Sequence, residues 1–188
     1  MNRLENWFCS SAYWRRITAR RLLPWLLEGT NLGESVLEIG AGPGAATGEL
    51  AKRVTRVTSL EYSHRFCIAL HSNNDAANVV QGDGSALPFA AGAFTSVIAV
   101  LVLHHLRSTG AQDQAFAEIF RVLKPGGVFV ALEVPDGWLT RAVHIRSTFV
   151  PVFPSGVAER IIVAGGSKVS IKSRPGAFRV RAERAGTI

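Results

Sequence analysis

Four groups of residues in this 188-residue chain have types and spacing that suit chemistry. The first is the turn Glu38-Ile39-Gly40-Ala41-Gly42-Pro43-Gly44. Glycines directly after a short apolar strand let a ligand approach the backbone, because no Cβ stands in the way. The second and third are single acids at the ends of the next two apolar runs. Glu61 follows Arg56 to Leu60, and Asp83 follows Asn78 to Gln81 and Gly82. The fourth is His104-His105, whose near-neutral imidazoles can take a proton from a hydroxyl or amine. An alternative reading gives the histidine pair a packing or capping role.

The glycine turn alone fits two kinds of ligand. Gly40-x-Gly42-x-x-Ala45 satisfies the looser dinucleotide fingerprint, which points to a nicotinamide or flavin site. Two features argue the other way. Glu38 stands two residues before the first glycine, where a dinucleotide fold wants an apolar strand residue, and Pro43 stiffens a Gly-x-Gly-x-Gly turn. Glu61 and Asp83 could each be an ordinary polar strand end. At successive strand ends on one sheet edge they read better as a ligand site.

The elements that must position these groups follow from periodicity. Residues 3–28 read as one or two helices, with Leu4, Trp7/Phe8, Ser11, Trp14, Thr18, Leu22 and Trp25/Leu26 at helical spacing. Pro24 separates two segments or starts the second. Strands are expected at 35–39, 56–60, 78–81, 94–100 and 128–134. Helices are expected at 45–53, at 63–70 with Ser63 as cap, and at 111–123, ended by Lys124-Pro125-Gly126-Gly127. Residues 168–173 and 177–183 flank Arg174-Pro175-Gly176 and read as an antiparallel hairpin. Its apolar residues, Phe178 among them, alternate with basic ones. The expected fold is α/β: a mostly parallel seven-stranded sheet with a C-terminal antiparallel hairpin and helices on both faces.

With these elements in place, the motifs resemble the class I methyltransferases that use S-adenosylmethionine (SAM), particularly the small type-11 group. The matching segments are 36–44, Leu60-Glu61-Tyr62-Ser63, 81–89, 101–106 and 121–127, in that order. The resemblance covers roughly residues 33–185 and implies a Rossmann-like core over 33–188 with a helical cap at 1–32, in one domain. It also implies SAM as cofactor and S-adenosylhomocysteine as product. By this resemblance Gly40, Ala41, Gly42 and Gly44 lie along the methionine part, with Glu38 orienting its amino end. Glu61 accepts from both ribose hydroxyls and Tyr62 flanks the adenine. Asp83 accepts from the adenine amino group, Gly84 and Ser85 add backbone contacts, and Val100 lines the same pocket. His105, or His104, is the possible base.

Departures from the family pattern bear on the acceptor. Thr95 stands where Asp is common, and Val100 where small polar residues are common. That edge is therefore apolar, and no tetrapeptide of the Asn-Pro-Pro-Tyr kind is present. A small apolar or aromatic methyl acceptor is expected, walled by the N-terminal helices and by residues 135–155, with Phe149 and Phe153 in contact with it. Methylation of RNA or protein, SAM binding without turnover, and nicotinamide-dependent oxidoreduction are the alternatives.

Composition sets the remaining expectations. The net charge of +7 gathers at Arg15, Arg16, Arg20 and Arg21, and again at Lys168, Lys172, Arg174, Arg179, Arg181 and Arg184. These groups read as two solvated faces rather than a nucleic-acid site. No apolar run reaches the ~18–20 residues of a membrane span. No signal peptide is visible, and two cysteines without metal spacing suit a reduced, cytoplasmic protein, monomeric or homodimeric. No metal site is expected, since His64, His71 and His144 are scattered.

Overall fold

The computed structural model describes residues 3–74 and 76–186; the side chains of Arg3 and Leu4 lie outside the description, and with them the helical-face reading of Leu4. The chain opens with α1 (Arg3–Cys9) and α2 (Ala12–Ile17). The latter runs through a π turn at Thr18–Leu22 into α3 (Leu23–Leu26). Pro24 sits in the first turn of α3, where its missing N–H is not needed. Ser11 departs from its expected place on the helical face. It is the N-cap of α2, and its hydroxyl accepts the Trp14 N–H at 3.1 Å.

The sheet follows: β1 (Ser35–Ile39), β2 (Arg56–Glu61), β3 (Ala77–Gln81), β4 (Phe94–Val100), β5 (Leu123–Glu133), β6 (Gly166–Arg174) and β7 (Ala177–Arg184). Its order is β3-β2-β1-β4-β5-β7-β6. β1 to β5 pair in parallel, and β7 enters antiparallel between β5 and β6. The expected seven strands and terminal hairpin are all present. Every residue of β1 is buried, because helices cover both faces and leave no solvated side. Alternate residues feed two cores: Leu37 and Ile39 join one, and Val36 joins the other. Phe178 points into the first core and is fully buried. That burial is worth about 1.5–3 kcal/mol and holds the hairpin to β5.

The helices between strands are α4 (Thr47–Ala51), α5 (His64–Asn73), α6 (Thr109–Val122), α7 (Trp138–Val143) and α8 (Pro154–Val163). α4 is shorter than the expected 45–53, because residues 42–46 continue the glycine turn. Ser63 occupies the N-cap of α5 but makes no side-chain cap bond; its own N–H is taken by Glu61 instead. β5 begins at Leu123, so Lys124 to Gly127 open the strand rather than only ending α6. α8 had no counterpart in the sequence reading. It packs on α6 and β6, with Val157 and Ile161 buried.

The C-terminal basic residues form a solvated face only in part: Lys168 and Lys172 are exposed, whereas the four arginines are buried or half-buried. Arg179 is buried beneath Trp25, donates to the Trp25 carbonyl and pairs with Glu28 at 3.1 Å. Arg174 stacks on the same indole with its guanidinium carbon 4.1 Å from the ring centre. Lys168 and Arg181 both pair with Glu183. Thr95, on the edge of the sheet remote from the glycine turn, accepts the Ser35 N–H at 3.0 Å and so fixes the start of β1. No described helix is long and apolar enough to cross a membrane.

Candidate functional site

The parallel strands deliver their carboxyl ends to one edge of the sheet, and β1 and β4 lie side by side where the strand order reverses. Ligands of open α/β sheets bind in the crevice there. A cavity of about 940 Å3 fills it. Its lining includes Glu38, Gly40, Ala41, Gly42, Glu61, Tyr62, Asp83, Gly84, Ser85, Val100, His104 and His105. The fold thus brings together every expected site residue except Gly44. Gly44 has φ +92°, and a Cβ there would meet Asn74 Nδ2 at 2.3 Å and Leu70 at 2.7 Å. Glycine is required at 44 to pack the turn on α5, and it does not line the cavity.

The glycine turn spends its backbone donors internally. The N–H groups of Gly40 and Ala41 both donate to the Leu60 carbonyl, at 2.8 and 3.2 Å. The Gly42 N–H donates to Glu61 Oε2 at 2.8 Å, and Gly44 donates to the Ala41 carbonyl. A pyrophosphate needs free N–H groups at a helix start. Here the turn's own donors at Gly40, Ala41, Gly42 and Gly44 are committed, and α4 begins only at Thr47.

Electrostatics point the same way. Glu38 is 2% exposed, and its Oε2 accepts from Thr47 Oγ1 at 2.6 Å and Ser59 Oγ at 2.8 Å. Burial pushes its carboxyl above the usual range; the two hydroxyls oppose the shift and nearby Glu61 adds to it. Two carboxylates facing one cavity favour a cationic ligand and repel a phosphate. SAM carries positive charge on its sulfonium and its amino group.

Glu61 holds the turn and the next helix together. Its Oε1 accepts the Ser63 N–H at 2.8 Å while Oε2 holds Gly42. Asp83 Oδ1 accepts from both the N–H and the hydroxyl of Ser85 at 2.9 and 2.7 Å. The Ser85 N–H is therefore already used within the loop, which leaves the rest of its backbone for the expected contact. Tyr62 is 61% exposed at the cavity rim, and its hydroxyl accepts from Arg107 at 2.7 Å. Leu101, just past β4, has φ +55°. Such strain in a non-glycine residue is typical of functional crevices.

Much of the remaining cavity lining is apolar. Trp7, Phe8 and Trp14 come from the N-terminal helices, and Leu139 and Val143 come from α7. Phe149 and Phe153, expected to touch an acceptor, are not in the lining. Phe149 stacks on His144, with ring centres 4.6 Å apart, and Phe153 is largely exposed. One side of α7 faces the cavity, where the sequence drew attention to the aromatics after it. Cys9 also lines the cavity, but burial and the charge of Glu5 hold its thiol at about 11, so it stays protonated.

His104, His105 and His144 also line the cavity. His104 is buried, and its Nδ1 lies 2.5 Å from Glu133 Oε2. Glu133 Oε1 accepts the N–H groups of Val102 and Leu103. The sequence reading did not single out Glu133, although it ends β5 as Glu61 ends β2. His105 Nδ1 meets the Thr148 carbonyl at 3.1 Å. Burial, helped by His104, pushes His105 down to about 3. His144 is not scattered: α7 carries it to within 5.0 Å of His104 and 5.3 Å of His105, ring centre to ring centre.

Comparison with known proteins agrees with this geometry. The family model for a methyltransferase domain matches residues 37–131. A demethylmenaquinone methyltransferase of Corynebacterium kroppenstedtii is 35% identical over 120 residues, 64% of this chain and 48% of that protein. An uncharacterized methyltransferase of Synechocystis is 36% identical over 110 residues, 57% of this chain and 51% of that protein. The chain spans about half the length of these curated relatives. Among solved structures, the PH0226 protein of Pyrococcus horikoshii superposes with a TM-score of 0.78 at 18% identity, covering 94% of this chain and 93% of that one.

Proposed function

The chain belongs to the methyltransferase-domain family, class I and SAM-dependent, and from that premise we propose that it transfers a methyl group from SAM to a small apolar or aromatic acceptor. The observation that carries this is one cavity lined both by Glu38, Glu61 and Asp83 beside the glycine turn and by the large apolar side chains Trp7, Phe8, Leu139 and Val143. Relatives named demethylmenaquinone methyltransferase support a ring-bearing, apolar acceptor of that chemical class. The whole chain works as one domain in this reading, with residues 1–32 closing the cavity over the core.

In this assignment the methionine part of SAM runs along Gly40 to Gly42, with its amino group toward Glu38. Glu61 accepts from the ribose hydroxyls with the lone pairs its backbone bonds leave. Asp83 and Gly84 meet the adenine, and Tyr62 covers it from the rim. The methyl group then faces Val100 and the histidines. Rate comes mainly from aligning the acceptor atom, the methyl carbon and the sulfur. A histidine held at about 3 is a weak base at neutral pH, so His105 serves better as a polar anchor than as a proton acceptor. RNA methylation draws little support from the basic C-terminus, whose four arginines are engaged within the fold and whose exposed cations are Lys168 and Lys172.

The test is a SAM-turnover screen over phenols, reduced quinones, amines, fatty acids and RNA, repeated with Leu139→Ala and Val143→Ala. Truncating either residue should raise the acceptor KM roughly tenfold, as expected from losing about 1.4 kcal/mol of apolar contact. SAM affinity should stay nearly unchanged. An equal loss of both would place these residues outside an acceptor site, and turnover of RNA alone would overturn the small-molecule reading.

A further inference from the structure

We propose that His104, His105 and His144 form a binding site for a divalent first-row transition cation such as Zn2+, opening onto the acceptor end of the cavity. One ring nitrogen of each lies within 4.8 Å of one on each of the others. Three side chains from two separate segments thus bring ring nitrogens close together. His104 and His105 come from the turn after β4, and His144 directly follows α7.

The contacts behind the rings are those a metal site needs. A ligating histidine normally donates its second ring N–H to a carboxylate or a backbone carbonyl, which fixes the tautomer and aims the other nitrogen. All three histidines have such a partner at Nδ1. His104 meets Glu133 Oε2 at 2.5 Å, His105 meets the Thr148 carbonyl at 3.1 Å, and His144 meets the Thr140 carbonyl at 2.7 Å. With each Nδ1 engaged as a donor, Nε2 is left with its lone pair, the form that binds metal. A core histidine needs one such bond by chance; three converging rings with the same arrangement are a pattern.

Charge fits as well. Glu133 is 1% exposed and stands directly behind His104. Buried Glu5 has Oε1 3.7 Å from His144 Nε2, where it also accepts from Ser147 Oγ at 2.6 Å. Two buried carboxylates around three imidazoles match a dication. Three nitrogen ligands also leave a coordination position open toward the cavity, as in catalytic rather than structural zinc sites. On the methyl-transfer reading, on which this last point rests, an oxygen of the acceptor would take that position. The cation would also tie α7 to the turn after β4 and so set the acceptor wall.

The experiment is calorimetric titration of chelator-treated protein with Zn2+, with the visible spectrum of added Co2+ as a second readout. One Zn2+ per chain and a four-coordinate Co2+ spectrum are expected. His144→Ala and His144→Gln, the latter keeping size and a donor, should each weaken Zn2+ binding at least about 100-fold. Glu133→Gln, which keeps an acceptor oxygen for the Val102 and Leu103 N–H groups but removes the charge behind His104, should weaken it about 10- to 100-fold. Absence of stoichiometric Zn2+ binding, or binding that survives both His144 variants, would overturn the site. SAM titrated into the same samples reports separately, so a failure of the cofactor reading and a failure of the metal site are distinguishable.

Discussion

Gly42→Val abolishes SAM binding in a protein that remains folded, whereas Gly40→Val also loses much of its stability. Both glycines have positive φ, +55° and +68°. An L side chain in that region costs about 1–2 kcal/mol at either position. Their surroundings differ. A Cβ at 42 meets nothing within 4 Å, and Gly42 lines the cavity. The new side chain therefore fills ligand space and clashes with no protein atom. A loss near 2 kcal/mol leaves a domain with roughly 5–15 kcal/mol of stability folded. It lowers Tm by only about 4–8 °C. A Cβ at 40 lies 2.2 Å from Val102 Cγ2 and 2.7 Å from Val102 Cβ. Relief there requires backbone movement, which adds about 1–3 kcal/mol of overpacking. Thermal melting with calorimetric titration separates the pair. Normal SAM affinity in folded Gly42→Val would place the cofactor elsewhere.

Glu61→Ala has the second large effect, because one carboxylate does two jobs. In the free protein it accepts the N–H groups of Gly42 and Ser63, so its loss leaves two backbone donors without their partner and loosens the turn. In the proposed complex it also accepts from the ribose hydroxyls. Hydrogen bonds to a charged group contribute about 1.5–3 kcal/mol each. SAM affinity should thus fall on the order of 100-fold or more. Glu61→Gln keeps one acceptor oxygen and should fall between the two. Measured Kd values within about threefold of wild type in Glu61→Ala would remove Glu61 from the cofactor site.

Much of this was readable in the sequence, for identifiable reasons. The continuous apolar run of β4 and the alternation around Phe178 are local patterns, and local patterns survive folding. Glu38, Glu61 and Asp83 were visible because a parallel sheet delivers strand ends to one edge. By the same rule Glu133 could have been found, as the acid that ends β5. What stayed hidden depends on distance in sequence. Nothing near His144 says that α7 returns it to His104, and nothing near Arg179 says that Trp25 lies over it. Gly44 looked like its two glycine neighbours, yet it is Asn74, 30 residues on, that decides its role. Leu139 and Val143, not Phe149 and Phe153, face the cavity because α7 precedes the aromatic stretch and presents one side to it.

The central claim is that an anionic cavity over a glycine turn with no free N–H groups holds a cation-bearing nucleoside rather than a pyrophosphate. Calorimetric titration of the wild-type chain with SAM and, separately, with NAD tests it most directly. One SAM per chain with micromolar affinity, and no heat from NAD at the same concentrations, is the expected result. NAD binding without SAM binding would contradict it.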